Sequence, residues 1–192
     1  FLFMLGRGRP RKKAPPVLQG TRQLQAQEAT NISLTSQNQG GLYMASLDKV
    51  LNWIDSTRDE SIGKMAKLIS QPSVSSTGEG VEECAKILCD MLKEVGLDAK
   101  IMPTPGLPAV YAERIVPGTP TVMFYGHYDV QPVGDLSLWD TPPFEPAIRN
   151  GRMYGRGTGD NKGQLLTHII AADGFMKTLG EVPCSVKFLL DG

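Results

Sequence analysis

Two continuous apolar runs constrain this chain most: "TVMFYG" from Thr121 and "CSVKFLLD" from Cys184, with a long helical pattern between them. Neither run alternates polar with apolar residues, which is the pattern of strands buried on both faces of a sheet. The intervening "NKGQLLTHIIAADGFMKTLG" reads as a helix that ends at Gly180. Upstream, "SLDKVLNWIDS" has an N-cap serine and places Val50, Leu51 and Ile54 at helical spacing. "ESIGKMAKLIS" continues with Ile62, Met65, Leu68 and Ile69 until Pro72 closes the helix. Val81, Ala85, Leu88, Leu92 and Val95 form a third helical stripe, capped by Gly96. "DAKIM" and "AVYAERI" read as short strands, with "TPGLP" between them and "VPGTP" as the next turn. Strands alternating with helices predict an α/β layer architecture. The stretch from Gln131 to Gly159 is rich in Pro and Gly and reads as a long irregular loop, a feature that in compact domains tends to carry function.

The chain has 192 residues and a formal net charge of zero. That balance gives no overall field favouring nucleic acid or anionic lipid, and no apolar run approaches the ~20 residues of a membrane span. The average conceals a split. Residues 1–42 carry six Arg or Lys and one acid, a net +5; the other 150 carry fourteen and nineteen, a net −5. Residues 1–45 accordingly read as a disordered basic and polar leader, and 46–192 as the folded part. The leader's order, apolar first and basic second, is the reverse of a secretory signal. Met44 is the candidate initiator. Cys84, Cys89 and Cys184 have no metal-type spacing and read as buried reduced thiols, which suits a cytoplasmic location.

Chemistry concentrates in His127, Asp129 and Asp160. His127 follows a strand and a glycine, so it and Asp129 fall beyond the strand's carboxyl end, where open α/β sheets bind ligands. Asp160 lies in "GRGTGDNKG", a glycine-dense loop opening a helix, where the backbone can turn sharply and come close to a ligand. Imidazole nitrogen with carboxylate oxygen suits Zn²⁺, and Mn²⁺ less often. Asp129 is placed to orient the imidazole from behind, and Asp160 has two oxygens with which to bridge two ions. Residue types alone also allow a structural histidine at 127 and a plain helix N-cap at 160. The glycine loop lacks the arrangement of a phosphate-binding P-loop.

The run "YGHYDVQPVGDLSLWDTPPFEPAIRNGRMYGRGTGDNKGQ" resembles metallopeptidase family 20, the metal-dependent aminoacylases and carboxypeptidases, in its carnosinase-like, cytosolic nonspecific dipeptidase branch. The matching elements are Gly126-His127-Tyr128-Asp129-Val130, Trp139, Pro142-Pro143-Phe144, Asn150-Gly151, Tyr154-Gly155-Arg156-Gly157 and Asp160-Asn161-Lys162-Gly163. The resemblance implies a three-layer α/β/α zinc-peptidase (phosphorylase/hydrolase-like) catalytic domain, represented by its N-terminal part without the lid and dimerisation domain. It implies two zinc ions, with manganese as the alternative. His127 becomes a ligand of one zinc, Asp160 the carboxylate bridging both, and Asp129 the catalytic-site carboxylate that orients and tunes His127. It also implies a cis peptide at Asp160–Asn161, a small peptide substrate and a homodimeric full-length protein.

Two positions depart from the family pattern, Asn161 and Asn150, and neither is a ligand there. The family's catalytic glutamate and remaining ligands follow the strand matching "VKFLLDG", beyond Gly192, so the chain is expected to be inactive as it stands. His168, in "LLTHIIAA", reads as a packed helix residue and not as the family's distal histidine. Related enzymes deacylate N-acyl amino acids on the same scaffold, which gives the alternative activity. A rival of another class rests on "GRGRPRKK", Gly6 to Lys13, which resembles an AT-hook for A·T minor grooves and would make the chain DNA-binding.

Overall fold

The computed structural model of the chain describes residues 46–192. The leader, the AT-hook-like segment and Met44 lie outside the described residues. Helix α1 covers 46–56, and α2 runs over Arg58–Ser70. Gln71 leaves α2 with φ −81° and ψ 115°, the extended conformation that a following proline favours. Helix α3, Val81–Val95, buries the predicted stripe together with Cys84, Cys89 and Met91. Gly96 ends it in the left-handed conformation at φ 96°. The Leu97 N–H then bonds back to the Leu92 carbonyl at 3.1 Å, closing the helix end.

Strands β1 (Asp98–Met102), β2 (Ala109–Arg114) and β3 (Thr121–His127) follow. After a hairpin of β4 (Ala147–Arg149) and β5 (Arg152–Tyr154) come α4 (Lys162–Leu179) and β6 (Ser185–Asp191). The main sheet has the order β1-β2-β6-β3. Strands β1, β2 and β6 pair antiparallel, whereas β6 returns parallel to β3 in a register that sets His127 opposite Asp191. Helix α4 is the crossover this parallel pair requires. Helices α3 and α4 cover one face, where Leu88, Leu92, Leu165, Leu166 and Phe188 form the core.

Strand β3 differs from its predicted burial. It stands at the sheet's edge, and Val122, Met123 and Tyr125 are 41%, 57% and 63% exposed. An unbroken apolar run records that both faces are apolar, but not whether a further layer covers them. The irregular stretch after β3 also holds more order than expected. Asn150 and Gly151, at φ 52° and 74°, make the two-residue turn between β4 and β5. An Asn-Gly pair is a hairpin signal because such a turn needs two successive positive φ angles. Cys84 and Cys89 are buried as predicted; Cys184 is only half-buried, and all three thiols are unpaired.

Phe188, fully buried, packs its ring 4.9 Å from that of Phe124 and joins β6 to β3. Phe188→Ala is expected to cost about 3–5 kcal/mol in a urea unfolding titration, since large-to-small changes at such sites leave a cavity.

Candidate functional site

The site is built where β3 ends and α4 begins. Gly126 permits the close approach: a Cβ there would lie 2.8 Å from Asn161 Oδ1 and 3.2 Å from Leu165 Cβ. Asn161 is the N-cap residue of α4, yet its side chain makes no capping bond. It accepts instead from the His127 N–H at 3.3 Å, fastening the helix start to the strand end. Asn161, set aside in the sequence as a mere departure from the family pattern, therefore has a structural task. The Asp160–Asn161 peptide is cis, as the resemblance implied. Asp160 is not the helix cap, and its carboxylate, 85% exposed, is left for other partners.

The structure brings His127, Asp129 and Asp160 together. His127 Nδ1 lies 2.9 Å from Asp129 Oδ1, and Nε2 lies 3.0 Å from Asp160 Oδ1. All three line a cavity of 230 Å³ whose remaining walls are Val130, Gln131, Arg156 and the backbone of Gly155, Gly157 and Gly159. Burial lowers the His127 pKa. The side-chain and backbone bonds to Asp129, its charge and the bond to Asp160 outweigh that, so the pKa lies above the ordinary histidine value. His168 is elsewhere, stacked on Phe124 with ring centroids 4.7 Å apart.

Around these three stand residues that the sequence shows only as matches to the family pattern. Lys162 is fully buried, and its ammonium donates to the Leu68 carbonyl at 3.2 Å and the Gln71 carbonyl at 2.6 Å. Burial pulls its pKa below the usual lysine range, against the opposing influence of Cys84 beside it. Arg156 donates from Nη2 to the Pro132 carbonyl at 3.1 Å and lies 5.2 Å from the centroid of the Trp139 ring. Trp139 Nε1 donates to the Val133 carbonyl at 2.9 Å, so these residues brace the loop beside the cavity. Tyr128, also fully buried, donates its hydroxyl to the Pro108 carbonyl.

His127 and Asp160 fit a divalent ion as two of its donors. Zinc–ligand distances of about 2.0–2.2 Å in a tetrahedral site put neighbouring ligand atoms about 3.3–3.6 Å apart, a few tenths of an ångström beyond the 3.0 Å observed. Among the described residues no complete cluster of three or more His, Cys, Asp or Glu side chains is gathered for a metal. The donor set is thus partial, with Asp129 occupied behind the imidazole.

Comparison with known proteins follows the same lines. Residues 123–192 match the model of peptidase family M20/M25/M40. A succinyl-diaminopimelate desuccinylase from Shewanella piezotolerans is 38% identical over 125 residues, 64% of this chain and 31% of that protein. Among solved structures, the M20 family metallo-carboxypeptidase Sso-CP2 from Sulfolobus solfataricus superposes with a TM-score of 0.65 at 37% identity, over 69% of this chain and 30% of that one. Human carnosine dipeptidase 1 superposes with a TM-score of 0.70 at 29% identity, over 76% of this chain and 34% of that one. The chain spans about a third of the length of these relatives. The fold is a mixed α/β one that matches the catalytic domains of M20 peptidases. Residues 123–192 carry a domain of the M20 peptidase family.

Because the folded state raises the His127 pKa, it binds this proton more tightly than the unfolded chain does. The resulting stabilisation of the metal-free protein is fully present below the unfolded value near 6.5 and fades as pH climbs through the raised folded value. Unfolding midpoints measured without metal should fall across that window, and the fall should be smaller in His127→Ala.

Proposed function

We propose that residues 46–192 form part of the catalytic domain of a two-metal peptidase that hydrolyses dipeptides or C-terminal peptide bonds. One observation carries this reading: a single imidazole held between two carboxylates, 2.9 Å from Asp129 and 3.0 Å from Asp160, in a cavity at a strand's carboxyl end. His127 is assigned as a ligand through Nε2, and Asp160 as the carboxylate bridging two ions. Asp129 is assigned the supporting role. By accepting the Nδ1 proton it leaves the Nε2 lone pair facing the cavity, and its charge makes the imidazole a better donor. A bound pair of divalent ions, zinc in first place and manganese in second, supplies Lewis-acid polarisation of the scissile carbonyl and activation of water. The loop braced by Arg156 and Trp139 walls the cavity and limits bulk water around the reacting bond. No general base is assigned among the described residues, because the cavity's two carboxylates are both engaged with His127.

A second reading keeps the site and changes the bond: deacylation of an N-acyl amino acid, favoured by the 38% identity to a desuccinylase. A cytoplasmic setting belongs to the same proposal, supported by three unpaired cysteines. Among the described residues no helix is long and apolar enough to cross a membrane. The full-length protein is proposed to be a homodimer.

The test is equilibrium dialysis of the purified chain against Zn²⁺ or Mn²⁺, followed by a panel of dipeptides and N-acyl amino acids. The expected result is metal uptake that His127→Ala and Asp160→Asn both lose, without turnover. Uptake indifferent to both substitutions would overturn the assignment. Turnover that disappears in His127→Ala would place a general base within this chain, and the better substrate class would decide between peptidase and deacylase.

A further inference from the structure

Four serine or charged side chains among the described residues are buried: Ser73 and Lys162, both at 0% exposure, and Asp173 and Ser185. Two of them converge on one short segment, the end of α2 and the residues just after it. Ser73, 0% exposed, donates its hydroxyl to the Tyr128 carbonyl at 2.6 Å. Its own carbonyl accepts from the Val130 N–H at 2.8 Å. These two bonds fall immediately before and immediately after Asp129. Lys162 lies two residues beyond Asp160 and reaches Leu68 and Gln71 of the same segment, at 3.2 and 2.6 Å. The stretch Leu68–Ser73 therefore grips both parts of the chain that meet at the cavity. A hydroxyl buried this deeply costs stability unless it is bonded, and here its acceptor is the Tyr128 carbonyl, with the Cys84 thiol in contact beside it.

We propose that Ser73 is a positioning residue of the candidate metal site, fixing the backbone on both sides of Asp129 and making Leu68–Ser73, with Lys162, the common anchor that sets His127 against Asp160. The inference rests on the reading of His127 and Asp160 as metal donors. Ser73 touches neither the imidazole nor the exposed carboxylate. It acts through the peptide groups of Tyr128 and Val130. Without its hydroxyl the Tyr128 carbonyl is buried and lacks its donor, so the 128–130 backbone relaxes and Asp129 loses its alignment on Nδ1. Val74, paired with Val130 in a parallel bridge, and Ser75, whose N–H meets the Val130 carbonyl at 3.3 Å, extend the same hold.

The experiment compares the 192-residue chain with Ser73→Ala in two measurements. The first is Co²⁺ titration followed by visible absorption. The second is the ¹⁵N spectrum of the imidazoles at fixed pH without metal, which is simple to assign because the chain has two histidines. Loss of an outer-shell partner lowers metal affinity roughly ten- to a hundredfold, and a drop of that size is expected here. The His127 nitrogen resonances should move while those of His168 stay, in a protein whose circular dichroism remains that of the folded chain. Parent affinity together with unmoved His127 resonances in the folded variant would overturn the inference. Co²⁺ uptake that is absent from the parent, or unaffected by His127→Ala, sinks the metal reading instead. In that case the resonances alone decide: movement upholds the hold of Ser73 on His127, and no movement overturns it. Should Ser73→Ala fail to fold, Ser73→Cys keeps the buried volume with only a weak donor and is read by the same criteria.

Discussion

The parallel pairing of β6 with β3 is the constraint on which the rest depends. Two parallel neighbours cannot be joined by a tight turn, so the chain must leave the end of β3, cross the sheet and re-enter at the start of β6. Helix α4 makes that crossing, and its first residues must lie beside the last residue of β3. Asp160 and His127, 33 positions apart in sequence, become neighbours at 3.0 Å as a result. Gly126 and Asn161 tighten the junction: the missing side chain at one admits the amide of the other. The His127–Asp160 pair is thus a consequence of topology before it is one of chemistry.

An acidic pair around one imidazole is electrostatically lopsided without a cation. Two carboxylates face His127, and its pKa rises because its proton is the charge available to balance them. A divalent ion, if held at Nε2, would supply the larger positive charge in place of that proton, with Asp129 still accepting from Nδ1. The exposure of Asp160, at 85%, against the shelter of Asp129, at 23%, separates their roles. An exposed carboxylate keeps oxygen lone pairs for a ligand, whereas a sheltered one is committed to holding the ring.

What was legible in the sequence was whatever leaves a local mark. The stripe of α3, the glycine caps at 96 and 180 and the proline after α2 each act within a turn or two, and each element stands where its pattern placed it. The burial of β3 was not legible. Val122, Met123 and Tyr125 are apolar whether or not anything covers them, and the edge position depends on strand order, which no single strand encodes. The hairpin carried its Asn-Gly signal, but the surrounding prolines and glycines obscured it. His127, Asp129 and Asp160 were visible as residue types. Their convergence was supplied by resemblance, because a spacing of 33 residues has no local geometry.

Ser73 and Lys162 were the hardest to foresee, and the reason is physical. A serine after a proline reads as loop, and a lysine opening a helix reads as solvated, since such side chains are rarely buried unless paired. Their partners are distant: Tyr128 is 55 residues from Ser73, and Leu68 is 94 from Lys162. Carbonyls at the end of α2 have no partner within their own helix, and the helix dipole places partial negative charge there. A buried ammonium satisfies both demands, and α2 in turn gives that ammonium acceptors it could not find in an apolar core. The same exchange ties the start of α4, and Asp160 with it, to the segment that steadies Asp129. Burial of these two polar groups is therefore tolerable only when the whole arrangement is formed, which makes the site's geometry part of the folding of the domain and not an addition to it.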